Sequence, residues 1–82
     1  MDLHEINYLL WDKLSDWASN SDDFDNGHVP NLLVEAAELY DLFDDIPELV
    51  EVRSQMFPFV NGSNDNGLEF IELVNKAITI TD

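Results

Sequence analysis

From Leu3 the apolar residues recur at Ile6, Leu10, Leu14 and Trp17, in steps of three and four that put all five on one side of an α-helix. Asp2 stands where an N-cap accepts from backbone N–H groups, and Glu5 three residues on completes a capping box, so the pattern predicts a helix over residues 3–19. Glu5, Asp12 and Asp16 fall on its opposite face. Residues 19–29, SNSDDFDNGHV, are turn formers around Gly27 and predict a loop. Pro30 suits the first turn of a second helix, whose apolar face reads Leu32, Leu33, Ala36, Tyr40 and Phe43, with Leu39 at its edge. Glu38, Asp41 and Asp45 fall on the other side.

Pro47 interrupts that period, and Asp45 with Glu48 is placed to cap a shorter third helix carrying Leu49, Val50, Val52, Met56 and Phe57. Pro58 is expected to stop it, leaving residues 58–67 as a second loop. Asn66 and Glu69 then open a last helix with Leu68, Phe70, Ile71, Val74, Ala77 and Ile78, and the tail from Thr79 to Asp82 is expected to fray. These elements predict an all-α fold, a small compact single domain over residues 1–82 built of about four short helices. The minor alternative is α+β: MFPFV ahead of Asn61 and Gly62 has a second, weaker reading as a strand and turn, and the ITIT tail alternates well enough to pair with it in a short C-terminal hairpin.

Composition changes the picture through charge. Eighteen Asp and Glu stand against three Lys and Arg, a formal charge of −15, while 45% of the 82 positions are apolar and nine are aromatic. That apolar content supports one small core rather than a disordered chain, and the length leaves no room for a second domain. Self-repulsion among so many acids opposes folding, so the charge calls for a reason. It excludes general nucleic-acid binding, because phosphate contacts are made by Lys and Arg and the chain has only Lys13, Arg53 and Lys76. No apolar run approaches the length needed to span a bilayer, and the N-terminus lacks the basic start and apolar run of a signal peptide, so a cytoplasmic protein that avoids membranes is expected.

The candidate motifs for chemistry fail one by one. DDFDNG from Asp22 to Gly27 imitates the start of a calcium loop, but Phe24 and Pro30 occupy ligand positions and Leu33 stands where a bidentate Glu must close the shell. Acyl carrier proteins share the size and acidity, yet none of Ser15, Ser19, Ser21, Ser54 or Ser63 lies in their Asp-Ser-Leu motif. There is no cysteine, and His4 and His28 lie in separate segments without ligand spacing. Neither a catalytic residue, a metal site nor a cofactor is expected. Arg53, alone among apolar neighbours, reads as a core-lining stem whose guanidinium pairs with a carboxylate.

The distribution of charge carries more. Residues 1–52 hold 14 acids and one base, whereas residues 53–82 hold four acids and two bases. Like charges three or four apart on a helix cost about 0.2–0.5 kcal/mol per pair, yet Asp12 with Asp16, Glu38 with Asp41, Asp41 with Asp45, and Glu48 with Glu51 all take that spacing. Such rows approximate the charge along a nucleic-acid strand and suit a cleft lined with Lys and Arg. In size, charge and helical texture the chain resembles the phage and mobile-element proteins that mimic nucleic acid to block restriction enzymes, CRISPR effectors or DNA-repair glycosylases. The resemblance implies a stoichiometric inhibitor whose partner is a basic surface on a nucleic-acid-binding protein or nuclease. The expected contact residues are Asp12, Asp16, Asp22, Asp23, Asp25, Glu38, Asp41, Asp44 and Asp45, with Phe24 either an aromatic anchor for the partner or a pin holding the loop to the core. The less charged C-terminal third offers a surface for a homodimer. An immunity protein covering a cognate nuclease toxin, a solvated acidic domain of the halophilic kind and an adaptor are the other readings of the same charge.

Overall fold

The computed structural model describes residues 2–82, and among them every regular element is helical. Helix α1 (Leu3–Ser19) takes the expected Asp2 cap, the carboxylate accepting from the Glu5 N–H at 2.8 Å, the Asp2 half of the capping box. A 3₁₀ turn at Phe24–Asn26 shapes the first loop, and α2 follows at Leu32–Leu42. Two further 3₁₀ turns, Phe43–Asp45 and Pro47–Leu49, lead into α3 (Val50–Val60), and α4 spans Gly67–Thr81. The helical tail and the helical MFPFV segment exclude the C-terminal hairpin.

Two antiparallel pairs make the body. Asn7 near the start of α1 bonds Ile78 and Thr81 at the end of α4, while Trp17 near the end of α1 stacks on Phe70 near the start of α4 with ring centroids 5.5 Å apart. In the second pair Tyr40 of α2 meets both Arg53 and Phe57 of α3. Phe59 lies 5.5 Å from Phe70, so a trio of tilted rings joins α1, α3 and α4. Ile6, Leu10, Leu39, Phe43, Leu49, Val52, Met56, Phe70 and Val74 are completely buried around it.

Several boundaries and faces differ from the sequence expectation. Helix α2 begins at Leu32, two residues after Pro30, because Asn31 takes a left-handed conformation (φ 55°) that cannot extend a helix toward Pro30. Leu39, expected at the edge of the apolar face, is at its centre, and Leu33 is 53% exposed. Asp45 does not cap the next segment; the extended Ile46 precedes Pro47, which takes the first position of its 3₁₀ turn. Pro58 does not stop α3. It lies in the last full turn, where proline, lacking a backbone N–H, removes one hydrogen bond, and the helix closes at Asn61, whose N–H donates to the Phe57 carbonyl at 3.0 Å. The continued helix brings Phe59 into the core, while Val50 and Phe57 are 64% and 50% exposed.

Gly67, placed by sequence in the second loop, is the buried first residue of α4. A Cβ there would collide with the carbonyl of Gly27, which itself has φ 95° and would press any Cβ of its own onto the backbone N of Leu68. The two loops therefore meet glycine to glycine. The tail does not fray: Thr81 is buried, with its hydroxyl donating to the Ala77 carbonyl at 2.8 Å and accepting from Asn7 at 3.2 Å.

Candidate functional site

The three cations determine what the acids are free to do. Lys13 projects from α1 to α2, where its ammonium lies 2.9 Å from both Glu35 and Glu38. Burial alone lowers the affinity of that ammonium for its proton, but the hydrogen bonds and charges of Glu35 and Glu38 outweigh burial and raise its pKa above 10.5. Arg53 behaves as its surroundings predict: its Nε donates to the Tyr40 carbonyl at 2.8 Å, its guanidinium lies 3.8 Å from the centre of the Tyr40 ring, and it pairs with Asp44 at 3.2 Å. Two of three bases are thus engaged in holding helices together. Lys76 lines a polar cleft of about 480 Å³ between α3 and α4, beside Glu69 and Glu72.

The anticipated contact residues divide accordingly. Asp12 and Asp16 are exposed one turn apart on α1, with no cation paired to either among the described residues. The Asp16 carboxylate also accepts from Asn20 at 3.0 Å, closing the end of the helix. Asp22, Asp23 and Asp25 are exposed around the first loop. Phe24 between them is half-buried against the core and acts as the pin of the loop rather than its free tip. Asp23 further orders the loop by accepting from the Asn26 side chain at 3.1 Å, and Ser21 Oγ lies 2.7 Å from His28 Nδ1 across its mouth.

On α2, Glu38 and Asp41 are exposed in one row, although Glu38 shares Lys13. Asp44 and Asp45 are exposed beyond the end of the helix. The rows Asp41 with Asp45 and Glu48 with Glu51 are not continuous, because each crosses a junction between α-helix and 3₁₀ turn, where the turn angle per residue changes. The structure therefore unites Asp12 with Asp16, the three loop acids with one another, and Glu38 with Asp41. Asp44 is held by Arg53.

Two exposed rings lie on the same helix as Asp12 and Asp16, outside the expected contact set. Tyr8 is 74% exposed and Trp11 is 54% exposed on the outer side of α1. The signal was present in the same periodicity that identified the core, since positions 8 and 11 fall between the buried 6, 10 and 17. Among the described residues no cluster of His, Cys, Asp and Glu is arranged to hold a metal ion, and no helix is long and apolar enough to cross a membrane. No family model, curated protein or solved structure matches the chain.

Proposed function

We propose that the protein is a stoichiometric inhibitor that offers an acidic helical surface, in place of nucleic acid, to the basic cleft of a nucleic-acid-binding protein such as a restriction, CRISPR or repair enzyme. One observation carries this reading. Lys13 and Arg53 are turned to Glu35, Glu38, Asp44 and the Tyr40 carbonyl, so Asp12, Asp16, Asp22, Asp23, Asp25, Asp41 and Asp45 face solvent without a paired cation among the described residues. A fold optimised for stability alone would place its few bases among these acids or dispense with the acids, since each exposed like-charge pair opposes folding. A rigid array of carboxylates gains by meeting a surface of opposite sign, through steered encounter and exclusion of the natural polyanion.

The binding is between proteins, with no chemistry and no direct contact to nucleic acid. Two copies would meet on residues 53–82, where the charge is low and Phe57, Leu68 and Ile80 are exposed. The test is to capture the target with the tagged protein and add a labelled oligonucleotide. Displacement of one ligand by the other supports mimicry, and its loss in Asp12→Lys, Asp16→Lys, Asp41→Lys with unchanged circular dichroism supports the site. Simultaneous occupancy by both ligands overturns mimicry; a companion nuclease toxin as the target would make the protein an immunity factor.

A further inference from the structure

The outer face of α1 exposes rings as well as carboxylates. Tyr8 follows Glu5 by three residues and precedes Trp11 by three and Asp12 by four, with Asp16 one turn beyond, so acids and rings are interleaved over about 16 Å of helix. All five are exposed, and Lys13, the one lysine or arginine of the helix, is directed away to α2. Trp and Tyr are the residues around which interface energy concentrates. Nucleic acid presents two features together, phosphate charge and the π-face of an unstacked base, and proteins that read single strands meet them with cations and with stacking side chains that include Arg. Arg also stacks on Trp and Tyr, whereas Lys contributes mainly a point charge.

We propose that this face docks an arginine-bearing groove of the target, with Glu5, Asp12 and Asp16 standing in for phosphates and Trp11 and Tyr8 for unstacked bases. The inference rests on the mimic reading and narrows it: the partner is a protein that handles single-stranded or flipped nucleotides, and the partner's arginines are the groups that recognise the rings. Negative charge around the rings supplies the complementarity to that groove and opposes their pairing with a second copy of the same helix.

The test uses nona-arginine and nona-lysine peptides as probes in 0.1 M NaCl, with binding followed by ¹⁵N NMR. The two indole N–H signals serve as reporters because Trp11 is exposed and Trp17 is 2% exposed. Nona-arginine is expected to shift the Trp11 indole and amides of residues 5–16, leave the Trp17 indole in place, and bind about fivefold more tightly than nona-lysine. Trp11→Ala should reduce that preference to what Tyr8 alone supports without altering nona-lysine affinity, Trp11→Phe should retain more of it, and Asp12→Asn with Asp16→Asn should weaken both peptides. Equal peptide affinities in the parent protein, or an unchanged arginine preference in Trp11→Ala, overturn the ring contact. If the Asp12 and Asp16 substitutions still weaken binding in that case, the acidic-surface reading survives; if they have no effect, that reading fails at this face as well. Movement of the Trp11 indole on dilution without peptide overturns the proposal in favour of self-association.

Discussion

Lys13 shows how one residue can decide the arrangement of two helices. Its side chain is 20% exposed and its ammonium satisfies two carboxylates that would otherwise repel each other across one turn of α2. Lys13→Met keeps the packing stem but leaves Glu35 and Glu38 together without a cation, and a loss of about 1–2 kcal/mol in urea unfolding is expected, between the values of exposed and fully buried pairs. Because the folded pKa is raised above 10.5, the stabilisation is fully present below that pH and disappears as pH rises through the folded value. The parent protein should therefore lose stability in the alkaline range more steeply than Lys13→Met, which a pH series of melting curves will show. Gly67 acts by absence. Gly67→Ala drives a methyl group into the Gly27 carbonyl and should cost about 1–3 kcal/mol, read as a lowered urea midpoint, whereas Ala at the open Gly62 meets no neighbouring atom and is opposed only by its φ of 80°.

At the scale of the element, α1 was legible because every signal agreed: the apolar period, the Asp2 cap and the absence of breakers give the observed span Leu3–Ser19. The expected all-α class and its four main helices stand as well. Helix α3 departs from the expected face and end where its signals conflict. Its apolar residues cover much of the circumference, so identity alone does not say whether Val50 and Phe57 or Val52 and Phe59 face inward; contact with both α2 and α4 decides it. The end of α4 was hidden for a different reason, since the partner of Thr81 is Asn7, at the other end of the chain. Asn7 also donates to the Ile78 carbonyl at 3.0 Å, holding a final turn that Thr and Ile would form weakly alone. Asn7→Ala should cost about 1 kcal/mol and speed hydrogen exchange of the Ile80 and Thr81 amides while leaving α3 protection unaltered. The acidic candidates were readable as exposed residues, and a carboxylate partner for Arg53 was expected, but not that the pairs occupy Glu38 and Asp44, which depends on Lys13 and Arg53 crossing between elements.

For the whole molecule, the relation between size and screening separates recognition from adaptation to salt. The fold extends 32 × 25 × 17 Å and carries a net charge of −15. At 0.01 M salt the Debye length is about 30 Å, so acids on all faces repel one another across the entire body; at 0.15 M it is about 8 Å and only neighbours within a face still interact. Raising NaCl over that range should therefore increase the unfolding free energy by about 1–2 kcal/mol, and the gain should level off before molar salt, because the Lys13 and Arg53 pairs that hold the helices together are weakened by the same screening. Binding should respond in the opposite sense. Association with a cationic cleft is driven by the charges that salt conceals, so its rate should fall steeply across the interval in which the free protein becomes more stable. Thermal melts and association kinetics measured on one salt series test both slopes together. Opposite slopes are the expected result for a surface built to meet a basic partner. A fold that requires molar KCl to form, with no salt-sensitive association, would attribute the acids to a saline environment instead.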